Sequence, residues 1–428
     1  MQVMKRSLLG LTAISAAILI NVGNAQALVA SPDVFGLDFR FNNPGARANA
    51  MGGAFIGLAD DATAAYTNPA GLTVLTKPEV SVEYKAGNYT TKITDQIGAT
   101  DYDKTASGLS FLSYAYPAKN TTVTIFRHQL MNAKADFTWH ELDDTSSRQE
   151  SYINSDTQIN TLGVGLGTKL NEKLSLGLAV GLAQLDYKAT TFRYRETAGV
   201  MAPNSKEVGD SSDNAEQYTA SLLWNVVGEL NLGLVYRQGP KFKVNKSSWE
   251  YGTISSGGGG TPEIGWRKLR YQTEAEFKVP DVYGLGLSYR FEPNLTVAMD
   301  ANYVKYSQLI EEFIGESRTA SFQLQQMEGF NLDDEWEFRL GLEYVLDVAG
   351  APIALRGGYY YRPDHRVYYT GTDPNMAATG QYLTRDKDDH IGSLGVGFLV
   401  SPALQVDLAA SYGRLATEGI VSLVYRFE

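Results

Sequence analysis

The chain has 428 residues, no cysteine, 20% charged residues and a formal net charge of −11. The missing thiols exclude a disulfide framework, thiol catalysis and cysteine-bound metal. The acidic balance argues against nucleic acid as a partner, and 26 tyrosines with 42 glycines depart from ordinary globular usage.

Met1 to Ala27 has the three parts of a secretory leader. Lys5 and Arg6 give a positive start, Leu8 to Ile20 an apolar stretch, and Ala25-Gln26-Ala27 the small residues that a signal peptidase reads. That stretch is too short for a membrane-spanning helix, which needs about 20 residues. No later part of the sequence supplies a longer apolar run. A mature chain of this kind crosses a bilayer only as a closed barrel.

Residues 28–78 are dominated by small side chains, with too little bulk for a core of their own. Such a segment has to pack inside something else, and a wide barrel has an interior to fill. It carries Ala50-Met51-Gly52-Gly53-Ala54, then Ala59-Asp60-Asp61-Ala62, then Asn68-Pro69-Ala70-Gly71-Leu72. Pro69 removes a backbone donor and restricts Asn68, so the chain must turn there. The Asn68 side chain suits a hydrogen bond to its own backbone or to a surrounding wall. Asp60 and Asp61 are placed to pair with arginines of that wall and latch the segment.

From residue 79 onward the sequence reads as strands of roughly ten residues with period-two alternation. Tyr283, Leu285, Leu287, Tyr289 and Phe291 fall on one face, against Gly284, Gly286, Ser288 and Arg290. Trp336, Phe338, Leu340, Leu342 and Tyr344 likewise oppose Glu337, Arg339, Gly341 and Glu343. Short connections near 117–120, 171–173, 227–229, 292–294, 347–352 and 401–403 alternate with longer ones. The longer ones span 92–106, 130–156, 193–214, 240–281, 307–335, 362–391 and 413–419. That alternation defines fourteen strands with both ends on the short-turn side, the organisation of an outer-membrane barrel. Tyr271 to Val279 also looks like a strand, but Pro280-Asp281 interrupts it and an odd count breaks the alternation. It is assigned to the fourth long connection. The predicted fold is all-β: a 14-stranded antiparallel transmembrane β-barrel over 79–428, plugged by an N-terminal hatch at 28–78, after a leader at 1–27. The last strand ends Val421, Leu423, Tyr425, Phe427, with Glu428 beyond the terminal aromatic.

The three ordered motifs between Ala50 and Leu72 resemble the N-terminal hatch of the long-chain fatty-acid transporter family, the FadL type, which also includes transporters of aromatic hydrocarbons. Length, strand count and ending extend the resemblance over the whole mature chain. It implies a monomer in the bacterial outer membrane, among its lipid and lipopolysaccharide, that takes up a hydrophobic small molecule. The resemblance points first to a long-chain fatty acid, passed on when the hatch rearranges. In some members a kinked strand opens the wall laterally; the sequence does not reveal an equivalent. Barrel shuttles of type IX secretion share the Met-Gly-Gly-Ala, Asp-Asp-Ala and Asn-Pro-Ala-Gly pattern and bind protein cargo, which is the alternative reading.

A fatty acid needs an apolar tunnel for its tail and a cation for its carboxylate. Strand parity turns Arg237, Arg290, Arg339 and Arg356 into the lumen, together with Asp300, Glu337, Glu343 and Asp407. Arg339 and Arg356, mid-strand on neighbouring strands, are the preferred carboxylate partners, and Arg237 is the third. Phe35, Phe39 and Phe41 are the candidate apolar contacts. The competing reading makes the arginines salt-bridge braces and the rings an anchor. His128, His140, His365 and His390 lack zinc spacing, and Gly257–Gly260 lacks the lysine of a phosphate loop. No Gly-x-Ser-x-Gly elbow occurs, so no metal, cofactor or catalysis is expected.

Overall fold

The computed structural model describes residues 39–95, 97–142, 148–254, 263–311, 314–317, 320–323, 329–372 and 384–428. The predicted leader, Met1–Ala27, and Phe35 lie outside the described residues. Fourteen antiparallel strands form the wall. They are β1 (Glu79–Asp95), β2 (Gly98–Ala118), β3 (Thr121–Leu142), β4 (Arg148–Lys169), β5 (Leu174–Thr197), β6 (Val200–Val227) and β7 (Leu230–Gln238). There follow β8 (Val282–Glu292), β9 (Leu295–Val304), β10 (Glu335–Val348), β11 (Ala351–Arg362), β12 (Asp389–Leu399), β13 (Leu404–Tyr412) and β14 (Ala416–Arg426). The wall closes where β1 meets β14, from Glu79 opposite Arg426 to Tyr89 opposite Ala416.

The sequence alternation sets which side faces out. Tyr283, Leu285, Leu287, Tyr289 and Phe291 are all exposed, as are Trp336, Phe338, Leu340, Leu342 and Tyr344. On the same strands Ser288, Glu337, Arg339 and Glu343 are buried, as is Asp300 on β9 between them. A soluble sandwich would bury the first set and expose the second. The inverted arrangement is that of a barrel whose outer surface meets lipid.

Three of the long connections turn out to be mostly ladder. β1 and β2 stay paired until Asp95 faces Gly98, β3 and β4 until Leu142 faces Arg148, and β5 and β6 until Thr197 faces Val200. Beyond the membrane both faces of these strands are wetted, so the residues lose their alternation while the backbone groups still need partners. The fifteenth strand-like segment falls within Glu263–Lys278, which pairs with Lys241–Ile254. This hairpin stands outside the wall, because β7 pairs directly with β8, Arg237 opposite Val282.

Residues 39–75 lie inside the barrel and are buried almost throughout. The segment holds two short helices, α1 (Ala46–Ala50) and α2 (Ala64–Thr67), and a 3-10 turn, Pro69–Val74. Asn68 ends α2 in an extended conformation (φ −154°), and its side chain accepts from Ala70 N to cap the turn that Pro69 begins. Its turns are closed by internal bonds such as Gly53 N to Ala48 O and Ala59 N to Phe55 O, and the lumen wall satisfies further backbone groups. Asp300 accepts from Phe55 N and Ile56 N at 2.8 and 3.0 Å. Ser288 donates to Gly57 O at 2.8 Å, and Ser393 donates to Ala50 O at 3.0 Å. The Asn68 amide donates to Ile56 O at 2.8 Å and to Leu222 O at 3.3 Å. The polar inner face therefore serves this backbone as a solvent.

Lumen-facing glycines make the close approach possible. A Cβ at Gly358 would sit 1.9 Å from Gly52 N, and one at Gly177 would sit 2.1 Å from Ala70 N. Gly286, Gly341 and Gly395 stand in the same way against Gly57, Met51 and Ala50. These glycines thus seat the inner segment against the wall.

Candidate functional site: a cavity beside a gap in the wall

β2 and β3 are joined only from Phe111 opposite His128 down to Ala118 opposite Thr121. Above that level β2 pairs on with β1 and β3 with β4, which leaves a gap between them. Both strands are bulged at its lower edge. On β2 the register shifts so that Ser110 has no partner across β1, and on β3 Leu130 is skipped between Gln129 and Met131. A bulge bends its strand and raises the local twist. It also breaks the parity here, so that the consecutive residues Leu130 and Met131 are both buried. Side chains bridge the strands again higher up: Lys104 to Asp136 at 2.8 Å, Tyr102 OH to Thr138 O at 3.3 Å, and the Tyr102 ring 6.0 Å from that of Phe137.

Behind the gap lies a cavity of about 510 Å³, within the range of ligand pockets. Leu130, Met131, Phe137, Trp139, Leu309 and Val367 give it apolar surface. Leu130, Met131, Leu309 and Val367 also belong to a larger buried apolar cluster in the upper lumen, with Phe39, Phe41, Ile159, Phe242, Phe277 and Tyr306. Apolar lining thus continues from the gap into the barrel. The lining also carries charge, including Arg40, Lys85, Arg362 and Arg414 with the carboxylates Asp386, Asp389 and Glu418. Arg362 faces Asp389 at 3.7 Å, Arg414 pairs with Asp386, and Arg40 lies over the Tyr89 ring at 5.3 Å. Among the described residues Lys85, half-buried, has no ion pair.

The predicted carboxylate partners lie elsewhere. Arg356 is buried between Glu343 and Asp407, 2.7 Å from each. Arg47 of the inner segment reaches the same Glu343 at 2.8 Å and holds Asp60 at 2.5 Å, with Asp61 at 4.0 Å. The acidic pair is therefore held by the segment's own arginine, and the relay Asp60–Arg47–Glu343–Arg356–Asp407 ties the segment to the wall. Arg339 donates to Phe41 O at 2.8 Å and pairs with Glu337 at 3.0 Å. Arg237 donates to Tyr66 O at 2.8 Å, with its guanidinium carbon 4.0 Å from the centre of that ring. Arg237 and Arg339 together line a void of about 10 Å³ beneath Phe41, room for a single water. Arg290 lies half-exposed at the short-turn rim, 3.9 Å from Glu229.

Phe39 and Phe41 stack with centroids 6.2 Å apart, and Phe41 lies 6.2 Å from Tyr306. Both rings are thus part of the upper-lumen cluster. Asn68, Pro69 and Ala70 sit deep in the barrel against β4, β5 and β6, far from the cavity lining. Sequence reasoning missed Lys85, Leu130 and Met131. Lys85 shares inward parity with Glu79, Ser81 and Glu83 on β1, a signal that was present. The bulge that turns both Leu130 and Met131 inward has no such signature.

One side of the cavity is carried by a loop. Asp334 accepts from Ser307 N at 3.0 Å and pairs with Lys305, which fixes the turn leading to Leu309. Burial alone would raise the Asp334 carboxyl, but hydrogen bonds from Lys305 and Ser307 outweigh it and hold it below its ordinary value. The same bond raises the Lys305 ammonium.

Over residues 39–421 the chain matches the model of a family described as outer membrane protein transport protein (OMPP1/FadL/TodX). Solved structures of similar fold include a FadL homologue from Pseudomonas aeruginosa, 14% identical, covering 91% of this chain and 100% of that one, with TM-score 0.63. The toluene transporter TbuX of Ralstonia pickettii is 12% identical over 91% and 100%, with TM-score 0.63. The toluene transporter TodX of P. putida is 14% identical over 91% and 100%, with TM-score 0.60. At these identities the likeness is one of fold. No curated protein matches the sequence.

Proposed function

This chain belongs to the outer membrane transport protein family that includes FadL and TodX, and on that premise we propose that it takes up a long-chain fatty acid. The short turns then face the periplasm and the long hairpins the outside. The acid enters from the long-hairpin end, and its tail lies against Leu130, Met131, Leu309 and the cluster around Phe41 and Tyr306. Its carboxylate meets Lys85.

The observation that carries this reading is the cavity lining: apolar surface that continues into the upper-lumen cluster, with a lysine beside it that makes no direct ion pair and acts on Glu418 only through space. Glu418 is held by Tyr89 at 2.9 Å, which leaves the Lys85 donors for an anionic ligand. A neutral aromatic hydrocarbon would fill the same apolar surface and leave Lys85 without a role. Arg356 and Arg339 already hold carboxylates of the protein, so the headgroup site moves from them to Lys85. Exit through the gap between β2 and β3 follows from the position of the cavity behind it.

Binding of palmitate and of toluene to the detergent-folded protein, with Lys85→Gln alongside, tests this. A charge-assisted contact of about 1.5–3 kcal/mol corresponds to roughly 10–100-fold in affinity. Palmitate binding should fall by that factor while toluene binding stays level. Palmitate binding indifferent to the substitution would remove Lys85 from the site. Binding of toluene alone would assign the cavity to hydrocarbons, and binding of neither would favour a protein cargo.

A further inference from the structure

We propose that the outward face of the hairpin extension built from β5, β6 and the two strands Lys241–Ile254 and Glu263–Lys278 binds the phosphorylated core sugars of lipopolysaccharide. Four strands place one row of side chains in register there. Phe192 faces Lys206, Lys206 faces Trp249, and Trp249 faces Lys268. Trp266 joins the row from one step along, opposite Tyr251. The Lys206 ammonium lies 4.9 Å from the Trp249 ring and 5.1 Å from the Trp266 ring, and Lys268 lies 5.4 Å from Trp249.

The row is on the outer side. Phe192 is next to Thr191, which is buried toward the lumen, and its partner Tyr152 on β4 is exposed. Lys268 is exposed and the indoles of Trp249 and Trp266 are partly so.

Charge singles out the partner. In a chain with 48 acidic against 37 basic residues, Lys206 and Lys268 have no ion pair among the described residues. The carboxylates next to Lys206 and Trp249 in sequence are already held, Glu207 by Arg193 at 2.9 Å and Glu250 by Arg267 at 2.5 Å. Indole faces pack against the apolar faces of sugar rings, and flanking ammonium groups take phosphate oxygens. Lysines already resting on indoles are partly ordered before a ligand arrives, which lowers the entropy lost on binding.

Height decides which part of the glycolipid reaches the row. The unbroken outward apolar run of β5 ends at Leu182, after which Gln184, Asp186, Lys188 and Thr190 precede Phe192 on the same face. At about 3.3 Å per residue and a tilt of about 40°, the row stands roughly 25 Å beyond the hydrocarbon edge. The lipid A phosphates lie at that edge, too low to touch it. Phosphorylated core sugars extend outward to this height.

The test compares binding of lipopolysaccharide with a phosphorylated core, the same core after dephosphorylation, and a deep-rough form lacking it. The full-length protein, folded in detergent, is assayed by native mass spectrometry. The expected result is at least tenfold tighter binding of the phosphorylated core, abolished in Lys206→Gln/Lys268→Gln and in Trp249→Ala/Trp266→Ala. Heat-modifiable migration on electrophoresis reports folding of each variant. The lysine pair leaves the aromatic row in place, so its result stands even if the tryptophan pair misfolds. Equal binding of all three glycolipids by the unaltered protein, or an unchanged preference in the lysine pair, would overturn the proposal. Fatty-acid binding is untouched in either case, so the outcome is independent of the transport reading.

Discussion

The ring of Tyr66 lies 3.7 Å from that of His128, with the planes 24° apart. Tyr66 belongs to the inner segment, and His128 is the last residue of β3 that pairs with β2 before the gap opens. Arg237 holds the same tyrosine through its carbonyl and its ring. One side chain thus fastens the segment to the lower edge of the gap and to β7. Tyr66→Ala should cost about 3–5 kcal/mol, as expected for a large buried ring, and Tyr66→Phe, which keeps the stack, about 1 kcal/mol or less. Hydrogen exchange over residues 64–72 should speed up in the alanine variant alone. An alanine variant with an unchanged thermal midpoint would show that the stack carries no stability.

Arg356 separates bracing from binding. Its guanidinium lies between two buried carboxylates, of which Glu343 also receives Arg47 from the inner segment. Arg356→Met leaves Asp407 without its ion pair and Glu343 with Arg47 alone, and breaking a buried pair in this way costs about 3–5 kcal/mol. Thermal unfolding should drop accordingly, while palmitate affinity at a temperature where the variant is folded should change less than twofold. A tenfold loss of affinity in the folded variant would restore Arg356 to the binding site.

Much of this architecture was readable because a membrane barrel writes its two faces into alternate residues. Strand count, short turns and the lipid face around Leu285 and Leu340 follow from that period alone. The same period turned Arg237, Arg339 and Arg356 inward correctly, but it could not say that Glu343 and Asp407 already claim Arg356. Partners across strands depend on register, which a single sequence does not contain. Bulges are harder still. At Leu130 one extra residue inverts the face of everything after it, and neither glycine nor proline marks the place. The upper halves of β1 to β6 escaped for a third reason, since strands wetted on both sides lose the alternation by which strands are recognised.

Gly358 tests whether the inner segment closes the barrel. A Cβ there would lie 1.9 Å from Gly52 N, far inside van der Waals contact, so backbone must move. Gly358→Val should unseat Met51–Gly53 while leaving β11 paired, since valine suits a strand. In planar bilayers the unaltered protein should pass little current, and the variant should show larger and noisier openings. Equal conductance would mean that the segment tolerates displacement without opening a path.

Acid should loosen the loop beside the cavity. The folded Asp334 carboxyl is held below its ordinary value, so its stabilising contribution is present above the unfolded pKa of about 3.9 and is lost as pH falls through the lower folded value. Protection of residues 305–311 from hydrogen exchange, corrected for intrinsic rates, should be level from pH 7 to about pH 5 and then fall toward pH 3. Asp334→Asn should show weak protection throughout with no such step. A step of equal size in the variant would assign the titration to another group.

The gap between β2 and β3 makes the sharpest claim about route. Ala106 on β2 and Ala133 on β3 both line the cavity beside it, above the last paired residues. Cysteines at these two positions, in a chain that has none of its own, can be joined by a short bis-maleimide. If ligand leaves between the strands, the joined protein should bind palmitate as tightly as before, because the cavity is still reached from the long-hairpin end. Delivery into cells should nevertheless fall at least tenfold, and a linker with a cleavable centre should restore it on cleavage. Loss of binding together with delivery would mean that ligand enters by the gap. Unchanged delivery would place the exit along the lumen, past the segment that Tyr66 and Arg47 hold in place.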